Sequence, residues 1–430
     1  MDKPKERIVV IGGGFAGLNF IKTIDKSRYD VTLVDRNNYH SFPPLFYQVA
    51  SSGLEPASIS FPFRREMNKR RVKGVRYHMG EVRVINMAAR TLTTQFETIP
   101  FDKLVIAAGT TNNFFGNDDL RKRVFTLKST PEALRCRNEI LDRLERASVC
   151  QDPERRRRLL SFVVIGGGPT GVEIAGAIGE MKRFVIEREY PRLSVDDVRI
   201  ILLEGTDRLL RTMTPKASRD ALRYLEALMV DVRLGVLMKD YREGEVHLSD
   251  GSTIYSEMVI WTAGITGEPF TLTGTDLRPG PGGRFVTDEQ LRVEGVEGVY
   301  ALGDINYVAN RSYPRGYPQL AQVAIQQARF LAREMNSDRW DKPFRYKDKG
   351  TMATVGRNRA VADLEHVHLS GFPAWMAWMF VHLVSLLGMR NKMIVLINWI
   401  WQYFTYTSSL RLLIHTAKFP LRRRWGEDGE

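Results

Sequence analysis

Residues Ile8–Gly17 read IVVIGGGFAG. Four apolar residues in a row, Ile8 to Ile11, predict a buried strand. Gly12, Gly14 and Gly17 follow with the spacing G-x-G-x-x-G. The first glycine allows a tight turn, the second lets a pyrophosphate approach the backbone, and the third lets helix pack on strand. A helix beginning near Ala16 and running to Asp25 would point its unpaired N–H groups and the positive end of its dipole at those phosphates. A second strand through Val31, Leu33 and Val34 ends on Asp35, 18 residues past Gly17. A carboxylate there accepts a hydrogen bond from a ribose hydroxyl. A lone glycine triplet is a weak signal. Strand, glycines, helix, strand and acid in this order specify a dinucleotide-binding unit, with Gly12, Gly14, Gly17 and Asp35 as its expected contacts.

The motif then returns. Phe162–Gly171 reads FVVIGGGPTG, with Gly166, Gly168 and Gly171 at the same spacing. Glu173 falls in the helix that follows. Val198–Leu203 is the next strand and ends on Glu204, which would bond a ribose diol and repel a 2′-phosphate, so this site should prefer NADH to NADPH. Val259–Gly264 echoes Val105–Gly109. The chain therefore repeats a whole dinucleotide-binding domain, and two such sites imply two dinucleotides facing each other.

The intervening segments read less sharply. Asn37–Gln48 holds two prolines among aromatic residues and lies at the carboxyl end of a strand, where doubly wound sheets bind ligands. Arg76–Met79, Glu81–Ile85 and Thr91–Thr94 read as a small antiparallel sheet. Pro131–Ala147 has helical spacing. Arg155–Arg158 is a four-arginine run without interleaved aromatic residues, which reads as a solvated helix end or linker and not as a nucleic-acid site. Val299–Asp304 is a short strand ending in glycine and acid, with Asp304 placed to hold a ribityl hydroxyl. In the helix Gln319–Arg333, Gln322 and Gln326 are one turn apart and share a face.

A chain of 430 residues with 43% hydrophobic residues has enough apolar matter for two or three domains. Two cysteines, Cys136 and Cys150, form no C-x-x-C, which argues for a reducing compartment and against a disulfide framework, a metal site or a redox dithiol. The first strand starts soon after Met1, so no signal or transit peptide is expected.

Taken together, these residues resemble the type II NADH:quinone oxidoreductases over nearly the whole chain. The resemblance is carried by Gly12–Gly17, the segment Tyr39–Ala50, GGGPTGVE at Gly166–Glu173, LGD at Leu302–Asp304 and AQVAIQQ at Ala321–Gln327. It extends to KGTMATVG at Lys349–Gly356, and to the AWMAW and NWIWQYF runs of the tail. The paired glycine motifs and LGD are shared by many flavin disulfide reductases; the glutamine helix and the tail are more specific. The resemblance implies an α/β fold of two nested Rossmann-like domains followed by a C-terminal helical membrane-anchoring region. Residues 1–115 and 286–350 would bind FAD non-covalently, 116–285 would bind NADH as substrate, and 351–430 would associate with the membrane. Carried over by position, Gly12–Ala16, Asp35, Asn38, Tyr39, Val82, Gly109 and Asp304 would contact FAD. Ala321 and Gln322 would sit near the isoalloxazine, where the quinone also arrives, with Gln326 beside them. Gly168, Glu173 and Glu204 would serve NADH, with Glu173 near the nicotinamide–flavin contact. The implied activity is oxidation of NADH through FAD by a membrane quinone, without proton pumping.

Three other readings compete. A sulfide:quinone oxidoreductase needs paired reactive cysteines, and Cys136 and Cys150 lie in a helix and a linker. An FAD-dependent NADH oxidoreductase with a soluble acceptor leaves the tail without a reason. A non-catalytic NADH sensor does not need two intact glycine motifs.

The tail has a composition of its own. Between Glu365 and Glu427 there is no acid, while Arg390, Lys392, Arg411, Lys418, Arg422, Arg423 and Arg424 supply over half of the net charge of +13. Trp375, Trp378, Trp399, Trp401 and Trp425 are also here. Basic residues beside Trp and Tyr suit an anionic lipid surface. Val367–Met389 is free of charged residues, but Gly371, Pro373, His382 and Gly388 interrupt it. Its small residues Ala374, Ala377, Val381, Ser385 and Gly388 form a stripe suited to docking on protein. Met393–Tyr406 carries a polar stripe of Asn391, Asn398, Gln402 and Thr405, and Leu410–Leu421 a basic stripe of Arg411, His415, Lys418 and Arg422. These patterns predict helices lying in an interface, not through it; the same residues could also build a dimer interface, and the resemblance implies attachment at the cytoplasmic side of the cell inner membrane. A homodimer is the expected assembly.

Overall fold

The computed structural model describes residues 4–337, 339–340, 342–365, 367–405 and 410–413. The strand Glu6–Ile11 lies at the centre of a five-stranded sheet, with Tyr29–Asp35 and then Arg76–Met79 on one side, and Lys103–Ile106 and then Val299–Ala301 on the other, all parallel. Its residues Ile8, Val9, Val10 and Ile11 are buried, as a strand covered on both faces requires. The helix Phe15–Thr23 packs on one face beside Ala321–Ser337.

The second sheet repeats this plan. Ser161–Ile165 lies between Arg199–Glu204 and Met258–Trp261, with Val230–Leu234 beyond, again all parallel. The helix Pro169–Phe184 follows its glycine turn. The two halves are stitched together where Thr110–Asn112 pairs antiparallel with Ile265–Gly267.

Three expectations change. Arg76–Met79 belongs to the large parallel sheet; the small sheet is built from Val82–Asn86, Thr91–Thr94 and Thr98–Pro100. Thr271–Thr273, assigned from sequence to the NADH segment, hydrogen-bonds to Val82–Asn86 and so extends the small sheet of the first half. The C-terminal region is not wholly helical. Thr351–Thr354, Ala360–Asp363 and His368–Gly371 form an antiparallel sheet before the helices Phe372–Ser385 and Met389–Thr405. Strand pairing there joins residues close in sequence, and Gly356, with φ of +68°, lies in the turn between the first two strands.

The tail helices also face differently from the expectation. In Phe372–Ser385 the buried residues are Ala374 and Trp378, while Val381 and Ser385 of the small stripe are exposed. The large indole at Trp378 removes more apolar surface than the small stripe would. In Met389–Thr405 the inner face is Asn391, Val395 and Trp399. The Asn391 amide is turned toward the carbonyls of Ala57 and Ser60, and the Gln402 amide donates to the Gly53 carbonyl. The polar stripe therefore turns toward protein, and Met393, Ile397, Ile400, Trp401 and Phe404 point outward. Most of the expected helix Leu410–Leu421, with His415, Lys418, Arg422 and Trp425, lies outside the described residues.

Close packing of each glycine turn against its helix makes a test. A Cβ on Gly171 would lie 1.8 Å from the Gly166 carbonyl oxygen, whereas one on Gly168 would meet nothing within 4 Å. Gly171→Ala should cost about 3 kcal/mol or more, and Gly168→Ala should leave the melting temperature near that of the unaltered protein. Thermal unfolding of the two variants checks this.

Candidate functional site at the paired glycine turns

Both turns are built the same way. Asp35 accepts the Gly13 N–H on one carboxylate oxygen and the Asn37 N–H on the other, each at 2.7 Å. Glu204 accepts the Gly167 N–H at 2.6 Å, and both the N–H and the hydroxyl of Thr206 at 2.8 Å. Each acid was expected to serve a ribose; each also holds the middle glycine of its turn through a charge-assisted bond. Burial pushes the Asp35 carboxyl up, against the pull of the Gly13 and Asn37 amides. Gly12 and Gly166 open the turns with φ of +93° and +107°. At Gly14, as at Gly168, an added Cβ would meet nothing within 4 Å. Such a cradle of bare backbone, beside unpaired helix N–H groups, fits a pyrophosphate in both halves.

The first cradle gathers the other flavin candidates. A Cβ on Gly303 would lie 3.4 Å from Ala16 Cβ and 3.1 Å from Ala324 Cβ, so the LGD turn, the first helix and the glutamine helix meet there. Asp304 is half-buried; burial raises its pKa, while Lys128 and Arg284 pull it down. Gly109 has φ of +72° and open space at its Cβ position. The Gly80 N–H donates to the Asp35 carbonyl, which brings the start of the Val82–Asn86 strand to the same edge. Tyr39 is half-buried beside Pro62 in a two-stranded ladder. Asn38 is exposed, and its carbonyl accepts the Phe63 N–H.

Two residues were missed in the sequence. Gln327, fully buried, accepts the Gly303 N–H at 2.7 Å and donates to Asn306, fixing the LGD turn. It adjoins Gln326 in sequence, and a third amide on a largely apolar helix was the available signal. Lys128 donates to Thr110 at 2.8 Å, with its ammonium held down by burial among Asp304, Glu132 and Glu268. Nothing in its local sequence marks it.

Gln322 and Gln326 do share a face, and that face meets backbone. Gln322 donates to the Gly350 carbonyl at 3.0 Å and accepts the Lys349 N–H at 3.1 Å. Gln326 treats Lys347 in the same way, at 2.9 and 3.0 Å. The pair thus clamps Lys347–Gly350, which leads into the strand Thr351–Thr354. Ala321 opens the helix.

Glu173 is buried on the helix Pro169–Phe184, and burial pushes its carboxyl up to about 8, with the Thr354 backbone N–H opposing. Tyr47, from the proline-aromatic segment, is also buried and senses the Glu173 charge. An aromatic chain then ties the first glycine turn to the tail. Phe15 meets Phe42 edge-on at 5.6 Å, Phe42 meets His382, and His382 stacks on Trp378 at 4.0 Å. Burial lowers His382 to about 4, so this chain is uncharged at neutral pH. Cys136 is buried in its helix with its thiol pushed up to about 12 by burial, and Cys150 caps the end of that helix. Burial of this kind leaves the Cys136 thiol inert.

The raised pKa of Glu173 has a sign that can be measured. Between its ordinary carboxylate range and about pH 8 the folded state holds a proton that the unfolded state has released. Stability therefore falls as pH rises through that window. Glu173→Gln keeps the shape and stays neutral, so it should gain on the order of 1–3 kcal/mol over the unaltered protein at pH 8 and nothing at pH 4. Denaturant unfolding at the two pH values decides.

The comparisons with known proteins agree with this geometry. Residues 6–328 match the family described as pyridine nucleotide-disulphide oxidoreductase, and residues 349–406 match the NDH2 C-terminal domain. The chain is 35% identical over 416 residues to the type II NADH:quinone oxidoreductase NdhA of Mycobacterium tuberculosis, covering 92% of this chain and 86% of that protein. It is 30% identical to an internal alternative NAD(P)H-ubiquinone oxidoreductase of Solanum tuberosum, over 92% and 86% of the two chains. Its fold is similar to NDH2 from Plasmodium falciparum solved with NADH, with a TM-score of 0.87, 22% identity and coverage of 96% and 100%. The sulfide:quinone oxidoreductase of Aquifex aeolicus shares the fold at a TM-score of 0.70 and 17% identity, covering 95% and 96%. With both glycine turns, the LGD turn and the C-terminal domain accounted for, the chain belongs to the type II NADH:quinone oxidoreductases, flavoenzymes that use FAD to oxidise NADH and reduce quinone.

Proposed function

We propose that the first glycine turn holds FAD through Gly12–Gly17, Asp35, Gly109 and Asp304, and that the second holds NADH through Gly166, Gly168, Gly171 and Glu204. The flavin, when bound, supplies the two-electron exchange between nicotinamide and quinone. The chain's own part is placement. Asp304 offers a half-buried carboxylate to a ribityl hydroxyl, with Lys128 and Arg284 favouring its ionised form. Glu204 presents negative charge at the second cradle, which favours a ribose diol over a 2′-phosphate. Glu173, protonated at neutral pH, stands as a proton donor at the reacting end of the two sites. The observation that carries this reading is the pair of matched cradles, each with an acid on its middle glycine.

Gln322 and Gln326 act as positioning residues in this reading. They hold Lys347–Gly350, and through it the strand Thr351–Thr354, and the quinone would arrive on this side of the flavin. Gln322→Leu and Gln326→Leu should slow reoxidation of the enzyme by quinone about tenfold or more and leave NADH-driven reduction nearly unchanged. Stopped-flow absorbance separates the two steps. Equal slowing of both would place these glutamines in the support of the flavin.

The outward face of the tail is the membrane contact. Phe372, Met376, Phe380, Val384, Met393, Ile397, Trp401 and Phe404 are all exposed. Among the described residues no helix is long and apolar enough to cross a membrane, so the attachment is monotopic, on an anionic surface at the cytoplasmic side. High salt should weaken binding to anionic vesicles without abolishing it, because charge attraction is screened beyond about 8 Å while apolar insertion is not. Flotation at low and high salt checks this, and complete release by salt would remove apolar insertion from the account. The mass of the detergent-extracted protein tests the expected homodimer.

A further inference from the structure

The loop that leaves the first half toward the second carries a large side chain in an unfavourable place. Phe115 has φ of +51°, a backbone region that bulky side chains rarely enter. Its ring is also 68% exposed. The turn accounts for the backbone and not for the side chain. Asn113 accepts the Phe115 N–H on its side-chain oxygen at 2.8 Å, and Gly116 continues at φ of +87°. Glycine or asparagine at position 115 would take up that φ at lower cost. Phe114 already anchors the loop, buried against Trp261 at 5.6 Å, while Phe115 meets the same indole only at 6.2 Å.

The neighbours of the ring place it beside the second glycine turn. A Cβ on Gly264 would lie 2.7 Å from the tip of the Phe115 ring, so the ring occupies the side-chain space of that glycine. Ala263, one residue earlier, lies against the turn itself: a Cβ on Gly166 would be 2.8 Å from its Cα. Two bonds fix the register. The Asn113 N–H donates to the Gly264 carbonyl at 3.0 Å, and the Trp261 indole N–H donates to the Asn113 carbonyl at 3.0 Å.

Strand order tells which half of a dinucleotide passes there. Glu204 ends the strand on one side of Ser161–Ile165, and Ala263–Gly264 follows the strand on the other. With its pyrophosphate on the glycine turn and its adenosine ribose at Glu204, NADH runs its nicotinamide riboside across Ala263–Gly264. This is also the side of the first half, since Thr110–Asn112, directly after Gly109, pairs with Ile265–Gly267. Hydride transfer needs one face of the nicotinamide against the flavin. The rest of the riboside is open to an apolar cover.

We propose that Phe115 is a clamp for NADH, its exposed ring closing on the nicotinamide riboside as that half crosses Ala263–Gly264. The inference rests on the reading of the second glycine turn as the NADH site. The bonded turn sets the backbone of the clamp in advance, so less is left to order on binding. The contact is apolar, so it adds affinity and placement without separating NADH from NADPH, a task that falls to Glu204.

The test uses full-length, FAD-loaded enzyme in detergent. Phe115→Leu stays apolar and loses the ring. It should weaken NAD⁺ binding about three- to tenfold, the span of one aromatic contact. It should raise the NADH concentration for half-maximal flavin reduction to the same extent, and leave reoxidation by a soluble quinone unchanged. ADP, which lacks the nicotinamide riboside, should bind as before. Phe115→Tyr keeps the ring and should bind NAD⁺ as the unaltered protein does. Phe115→Gly takes up the φ without strain, so it should weaken NAD⁺ and melt no lower; if it melts lower, Phe115→Leu decides alone. Gly168→Ala puts a Cβ into the cradle and should weaken NAD⁺ and ADP together. Unchanged NAD⁺ binding in Phe115→Leu, with Gly168→Ala weakened, overturns the clamp and leaves the NADH site standing. Unchanged binding of both ligands in Gly168→Ala overturns both readings. Equal weakening of NAD⁺ and ADP in Phe115→Leu assigns the ring to support of the turn and overturns the clamp.

Discussion

A carboxylate at the end of a strand, bonded to the N–H of the middle glycine in the turn beside it, is the interaction on which the molecule depends. It occurs twice, at Asp35 with Gly13 and at Glu204 with Gly167. Each bond fixes the mouth of a turn that has no side chains to hold it. The turn in turn sets where its helix begins and where the helix N–H groups point. Around the first turn the LGD segment and the glutamine helix converge, and Gln327 locks that meeting from inside the core. A strand-end acid is therefore a structural tie at the very position where a ligand contact is proposed.

The same economy extends to the tail. Its sheet places Thr354 against Glu173, and its helices set Trp378 against His382 and Trp399 against Gln48. The tail is a wall of the site as well as its outer face. Loss of a tail contact would reach the buried carboxyl through only a few residues: Trp399 to Gln48, Gln48 to Tyr47, Tyr47 to Thr354.

What the sequence disclosed were features written in neighbouring residues. The glycine turns, their strands and the strand-end acids are local patterns, and all were read from spacing. The repeat of Ile8–Gly17 at Phe162–Gly171 disclosed the two-part plan for the same reason. What stayed hidden depends on distant pairing. Gln322 and Gln326 were placed on one face, but their partners at Lys347–Gly350 lie over twenty residues away. The tail helix Met389–Thr405 shows why periodicity alone falls short. A polar stripe has the same spacing whether it faces water or protein carbonyls, and Asn391 and Gln402 face the carbonyls. Glu173 was found by its place in a motif, while its burial, and hence its protonation, required Tyr47 and Thr354 to be brought against it.

The order of strands in the first sheet bears on how the chain acquires its form during synthesis. The edge strand Val299–Ala301 pairs with Lys103–Ile106, nearly two hundred residues earlier, and the whole second sheet is encoded between them. The second half draws its four strands from one continuous stretch, Ser161 to Trp261. It can close while the ribosome is still adding residues, whereas the first half must wait with one edge of its sheet unpaired. That edge is the hazard for an emerging chain, since an open strand of Leu104, Val105 and Ile106 is an apolar template for wrong partners. The half that reads first in the sequence is thus the half that finishes last.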